Sequence, residues 1–256
     1  GKQLMMKRLL PCHATTPKYQ LAFKKEFEMG YLLEHQNLVR YHEWGEDEQG
    51  PFILMEYIDG WTLREFLTSV PDYFDDIENE REFIKQILSV LGYLHSHQIV
   101  YLDLKPDNIM ITRIGRKVKL IDLGCSYSDT FTDTAGLNQN FAAPEQRSTT
   151  KSPHFSPQTD LYALGRLLKW ISESSTCRLS KSAKRLTNKL LIEQIEKRPI
   201  YKLAAEHLIG NVANVGSAKN FDLESCIAAK PDFEPMQDGQ GSGDYDEKLQ
   251  FSGPAS

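Results

Sequence analysis

The sequence is poor in cysteine, with Cys12, Cys125, Cys177 and Cys226 the four thiols in 256 residues. They are widely scattered and none stands at a metal-ligand spacing from another. This excludes a zinc framework or a disulfide scaffold and points to reduced thiols in a cytoplasmic setting. Long apolar runs are missing too, so no membrane-spanning helix is encoded, and no signal peptide opens the chain. Positive charge is not in excess: 30 Lys and Arg against 35 Asp and Glu give a net charge of -5. No basic stripe dominates any segment, so no nucleic acid is expected as a partner. Internal repeats are absent. The chain reads as soluble, with no membrane contact of its own; it opens on Gly1, and an anchor elsewhere in a longer parent is left open. What is present is 40% hydrophobic and 25% charged residues, the balance of a globular protein with one sizeable domain or a bilobal unit.

The most informative stretch runs from Ile99 to Gly124. Two short apolar strands, Ile109 to Thr112 and Val118 to Ile121, are joined by a polar turn at Arg113 to Arg116. Just before the first strand lie an acid, an amine and an amide: Asp103, Lys105 and Asn108. Just after the second comes Asp122, with Gly124 two residues on. A hairpin brings its ends together, so Asp122 is expected beside the Asp103 loop. Two acids, an amide and an ammonium group at one place suit magnesium and phosphate, because hard cations take carboxylate and amide oxygens and lysine steadies phosphate charge.

Asp103-Leu104-Lys105-Pro106-Asp107-Asn108 resembles the catalytic loop of protein kinases, and Asp122-Leu123-Gly124 resembles their metal-binding Asp-Phe-Gly motif. Lysine two places after the acid matches the eukaryotic-like serine/threonine kinases. The resemblance implies an α+β, bilobal protein-kinase-like fold with a truncated, β-rich small lobe and a larger, mainly helical lobe. It implies ATP and Mg2+ as cofactors and a protein as substrate. Asp103 would orient the substrate hydroxyl and accept its proton. Lys105 would steady the transferred phosphoryl group, and Asn108 and Asp122 would ligate magnesium.

Earlier in the chain, Gln3 to Leu10 reads as a strand ended by Pro11, with Lys7 in its middle. By resemblance Lys7 holds the nucleotide's α- and β-phosphates, although a lysine in a short strand is more often merely solvated. Tyr19 to Glu34 reads as a helix. Counting back from His35-Gln36-Asn37-Leu38-Val39, a kinase-like turn, makes Glu26 the expected ion-pair partner of Lys7, with Glu28 the fallback. Gly30 stands where kinases place a bulky apolar side chain; a helix-interior glycine costs about 1 kcal/mol relative to alanine. A gap is therefore expected there, with the helix weakly held. Val39 to Trp44 and Phe52 to Tyr57 are two further strands. Met55-Glu56-Tyr57-Ile58 resembles the hinge between lobes, with Met55 lining the nucleotide pocket and the main chain of Glu56 and Ile58 meeting adenine.

Glu80 to His97 is a strongly periodic helix. Leu102 replaces the arginine with which many kinases grip a phosphorylated activation loop, so switching by that route is not expected. Cys125 to Ala142 is a polar loop carrying Ser126, Ser128, Thr130, Thr132 and Thr134, closed by Ala143-Pro144-Glu145, which resembles the Ala-Pro-Glu motif. Leu137-Asn138 replaces the family's Gly-Thr, whose threonine helps set the serine/threonine substrate platform. Pro157 to Ile171 is apolar on most sides and should be buried, with Asp160 needing a partner; the resemblance makes it an anchor for the catalytic loop. Arg198 matches the arginine that pairs with Glu145. A last helix is expected from Pro199 to Ile209.

These readings divide the chain into residues 1–57, a partial small lobe; 58–210, hinge and large lobe; and 211–256, a linker-like or disordered extension. No glycine-rich phosphate loop precedes Lys7, so the sequence is a fragment or a kinase fold lacking its lid. The alternative function is a pseudokinase: a nucleotide-binding or scaffolding module without turnover. A small-molecule kinase fits less well, because Ala143-Pro144-Glu145 and Arg198 belong to protein-substrate platforms.

Overall fold

The computed structural model of the chain describes residues 3–126, 140–147, 155–174, 178–199 and 251–252. The polar loop with its serines and threonines from Ser128 to Thr134, the Leu137-Asn138 pair and the helix expected beyond Pro199 lie outside these residues. So does the 211–256 extension, apart from Phe251 and Ser252.

The first layer is an antiparallel sheet. Strands β1 (Leu4–Arg8), β2 (Tyr41–Asp47), β3 (Gly50–Glu56) and β7 (Phe251–Ser252) lie in the order β2-β3-β1-β7. Lys7 faces Ile53 on β3, and Tyr41 faces Met55, with a bulge between Tyr41 and Glu43. β3 alternates strictly, burying Pro51, Ile53 and Met55 against one face. The β7 pairing of Lys7 with Phe251 places a strand where only linker-like sequence was expected. Before β2 runs helix α2 (Pro17–Tyr31), preceded by one turn of helix α1 (Pro11–Ala14). Both helices begin on a proline, whose fixed φ and missing N–H suit a first helical position. Phe23, Glu26 and Gly30 form the inward stripe of α2.

A second sheet lies beyond the hinge: β4 (Gly60–Thr62), β5 (Ile109–Thr112) and β6 (Val118–Leu120), in that order and antiparallel. β4 was not foreseen, since three residues with one tryptophan carry no periodic signal. Gly60 is required there: a Cβ would stand 2.2 Å from the Ile111 carbonyl oxygen. Thr62 caps helix α3 (Leu63–Ser69) through a capping box with Glu65.

The helical layer is built on α4 (Ile77–Ser96), capped by Asp76 and burying Phe83, Ile84, Ile87, Leu88, Val90, Leu91 and Leu94. Helix α5 (Pro157–Ser174) buries Leu161, Leu164, Leu167, Leu168 and Ile171. Against it lies α6 (Lys181–Leu190), a helix the sequence reading did not single out, capped by the Ser180 side chain. Gly165 permits this contact; a Cβ there would come within 2.9 Å of Leu190 Cβ. One core cluster links both layers, from Phe23 and Tyr41's neighbours in the sheet through Leu120 to Leu190. This is the expected α+β arrangement of a β-rich and a helical part.

Candidate active site

The β5–β6 hairpin does what its sequence suggested. Asn108, just before β5, accepts a hydrogen bond on its carbonyl from Ile121 N, just after β6, at 3.0 Å. Tyr101 adds a second tie, its hydroxyl donating to the Ile121 carbonyl at 2.6 Å. The Asp103 loop and the Asp122 segment are therefore stitched together on either side of Ile121.

Within the loop, Lys105 Nζ lies 2.6 Å from Asp103 Oδ2. Asn108 Nδ2 donates to the same oxygen at 2.7 Å and to the Asp103 carbonyl at 3.1 Å. With the amide nitrogen so engaged, Asn108 keeps its Oδ1 as an uncommitted oxygen donor. Asp103 and Asn108 are buried, each 7% exposed, so the cluster is shielded but reachable.

The second cluster centres on Lys7, 2% exposed. Its ammonium donates to Glu26 Oε1 and Oε2 at 2.7 and 2.8 Å and to Asp122 Oδ1 at 2.9 Å. Glu26, one buried turn before Gly30 on α2, is thus the partner, while Glu28 lies on the surface 4.0 Å from Lys24. Burial by itself would lower the Lys7 pKa. The charges of Asp122 and Glu26, with their hydrogen bonds, outweigh it and push the pKa up, so the ammonium stays charged. Burial likewise works against the Asp122 carboxylate, but Lys7 and the Gly124 N–H prevail and hold it below the usual range, with Lys105 adding to the effect. Asp122 has φ +71°, a left-handed conformation that costs a non-glycine residue on the order of 1 kcal/mol or more. Its side chain meets Lys7 and the Gly124 N–H through Oδ1, which leaves Oδ2 as a second uncommitted oxygen.

Asp160 supports the loop from below. Fully buried at the start of α5, it accepts from Tyr101 N and Leu102 N, both at 2.8 Å, and meets His95 Nε2 at 2.8 Å. These partners replace the water around a carboxylate that would otherwise cost several kcal/mol to bury. Leu102, with φ +66°, packs against Val100 and Phe155 in an apolar cluster of three. Its carbonyl accepts from Gln146 Nε2, and Gln146 Oε1 accepts from Ala143 N. Arg198 forks onto Glu145 at 2.6 and 2.7 Å and also donates to the carbonyls of Gln158, Ile192 and Glu193.

At the hinge, Met55 and Ile58 are both buried. The Glu56 N–H is committed to the Arg40 carbonyl, and its carboxylate takes Lys119 at 2.8 Å. Among the described residues no group of three or more His, Cys, Asp or Glu side chains is arranged to hold a metal. The hairpin instead sets Asn108 and the residue before Asp122 in main-chain contact, and a carboxylate with an amide oxygen is the hard-donor chemistry that magnesium takes when it also binds phosphates.

The gap expected at Gly30 does not exist. The ring of Tyr41 fills it, and a Cβ on Gly30 would stand 2.5 Å from Tyr41 Cδ2. Tyr41, Gln146 and His95 were all missed by sequence reasoning. Only Tyr41 left a trace, as a bulky residue opening a strand eleven positions after a helical glycine.

The sequence model of the protein kinase domain matches residues 1–197. Among curated relatives, a probable serine/threonine-protein kinase of Streptomyces coelicolor is 35% identical over 179 residues, 66% of this chain and 26% of the relative. The serine/threonine-protein kinase PrkC of Bacillus subtilis is 29% identical over 65% of this chain and 26% of its own length. The serine/threonine-protein kinase ppk25 of Schizosaccharomyces pombe is 32% identical over 62% of this chain and 37% of its own. The chain thus spans between 26% and 37% of the length of these relatives. With the match running from the Lys7 strand past α6, the chain belongs to the protein kinase domain family.

Proposed function

We propose that the chain transfers the γ-phosphoryl group of ATP, with Mg2+, to serine or threonine hydroxyls of a protein. The observation that supports this most is the joining of two charge clusters across one hairpin: Lys7–Glu26–Asp122 on one side and Lys105–Asp103–Asn108 on the other. Phosphoryl transfer asks little covalent chemistry of a protein; it needs positioned reactants and neutralised charge.

In this reading Lys7, held rigid by two carboxylates, meets the α- and β-phosphates. Met55 lines the pocket, the main chain of Glu56 and Ile58 meets the purine edge, and Asn108 and Asp122 would hold magnesium, which would supply charge neutralisation at the phosphates. Asp103 aligns the substrate hydroxyl. The hydroxyl oxygen bonds to the γ-phosphorus, the bond to the bridging oxygen of ADP breaks, and the hydroxyl proton passes to the Asp103 carboxylate. Lys105 balances the charge on Asp103 and on the phosphoryl group in transit.

Gly30, Leu102, Asn138 and the missing glycine-rich loop point toward the rival reading, a scaffold without turnover; of these the Gly30 position is filled by the Tyr41 ring, and the complete set of Lys7, Asp103, Lys105, Asn108 and Asp122 favours the enzyme. The scarcity of thiols and the lack of basic stripes favour a cytoplasmic protein acting on proteins and not on nucleic acid. No helix among the described residues is long and apolar enough to cross a membrane. The test is label transfer from radiolabelled ATP to generic protein substrates, with Asp103→Ala beside the wild type. Transfer that needs Mg2+ and disappears in the variant is the expected result; transfer untouched by the substitution would remove the mechanism.

A further inference from the structure

Tyr41 opens β2 with 1% of its surface exposed, and it touches two separate parts of the fold. Its ring covers Gly30 of α2, with three ring atoms within 2.8 Å of where a Cβ would stand. Its hydroxyl donates to Glu26 Oε1 at 2.8 Å and accepts from Leu123 N at 3.3 Å. One hydroxyl has one proton and free lone pairs, so both bonds coexist without conflict. Glu26 in turn holds Lys7, and Lys7 holds Asp122, the neighbour of Leu123. The contacts close a ring: Tyr41 to Glu26, Glu26 to Lys7, Lys7 to Asp122, and Leu123 back to Tyr41.

We propose that Tyr41 is a positioning residue that locks α2 and the Asp122–Gly124 segment into the Lys7-engaged arrangement. Its ring supplies the bulk that Gly30 lacks, and its hydroxyl couples Glu26 to the main chain after Asp122. Gly30 and Tyr41 then form a matched pair: only a residue without Cβ admits the ring so close, and only a ring that large fills the space. Burial, together with the charges of Glu26 and Asp122, keeps the phenol protonated and therefore a donor. As a statement about catalysis this rests on the proposed kinase reading; as a statement about the lock it does not.

Two measurements test it. Tyr41→Phe keeps the ring and removes the hydroxyl, so amide hydrogen exchange at Leu123 should quicken by about tenfold, the equivalent of one hydrogen bond of ordinary strength. Exchange at Leu91, deep in α4, should be unchanged. A general loss of stability would quicken both, and that result, or no change at Leu123, overturns the lock. Where phosphoryl transfer is present, kcat should fall by a similar factor. Transfer absent from the wild type, with Leu123 still responding, would remove the kinase reading and leave the lock standing. In the second measurement, Gly30→Leu and Tyr41→Leu are made singly and together. The double variant should be more stable than the sum of the singles allows, since the leucine grows into the space the ring vacates. Strict additivity would end the claim of a matched pair.

Discussion

Replacing Lys7 with methionine is the sharpest perturbation of the site. Methionine keeps most of the side-chain volume, so packing is largely preserved and the loss is electrostatic. The ammonium is 2% exposed and serves Glu26 at 2.7 Å and Asp122 at 2.9 Å. Without it buried Glu26 and partly buried Asp122 are left with no cation bonded to either. Removing one partner of a buried ion pair costs roughly 3–5 kcal/mol. For a domain of this size each kcal/mol lowers the melting temperature by about 2–4 °C, which gives a drop of roughly 6–20 °C by calorimetry or thermal shift. The pH dependence carries a sign. In the wild type Lys7 holds Asp122 low, so that carboxylate contributes stability above its ordinary range, lost only as pH falls through its depressed pKa. In the variant, burial raises the carboxyl pKa of Glu26 with nothing to oppose it except Tyr41. A group raised in the folded state contributes stability below its unfolded pKa, near 4.3, and loses it as pH rises through the folded value. The deficit of Lys7→Met against wild type should therefore widen from about pH 5 to about pH 8. Adding Glu26→Gln should narrow it at about pH 8, because one buried charge is gone. A deficit that is the same at both pH values, or below about 1 kcal/mol, would refute the view that Lys7 stabilises by neutralising buried carboxylates.

Arg198→Ala should cost about 3 kcal/mol in denaturant titration, and Arg198→Lys should recover little, because the fork onto Glu145 and the carbonyls needs a planar guanidinium. Asp160→Asn turns an amide N–H2 toward a backbone N–H of Tyr101 or Leu102, and a loss of about 1–3 kcal/mol is expected by the same measurement. Leu102→Arg would put an unpaired cation against Val100 and Phe155; it should lower the melting temperature and confer no dependence of activity on loop phosphorylation, read by thermal shift and by kinase assay after phosphatase treatment.

Much of this site was legible in the residues. Asp103, Lys105, Asn108 and Asp122 stand out because a tight hairpin has few geometries, so chemistry at its two ends must meet. The alternation of β3 and the long apolar face of α4 follow from burial on one side, and that periodicity is written into the chain. Choosing Glu26 over Glu28 was also possible, since only Glu26 shares the stripe of Phe23 and Gly30.

Other features exist only in the fold. That Gly30 leaves no void depends on a ring from another strand, and no local pattern records which side chain lies opposite a helix. β4 and α6 went unforeseen because three residues, or ten with many lysines, acquire their structure from what they pack on, with propensity a weak guide. The residue types and their spacing determined the chemistry available to this protein. Tertiary structure decided which groups carry it, because burial beside a particular partner fixes whether a charge is held, a hydroxyl is committed or a space is filled.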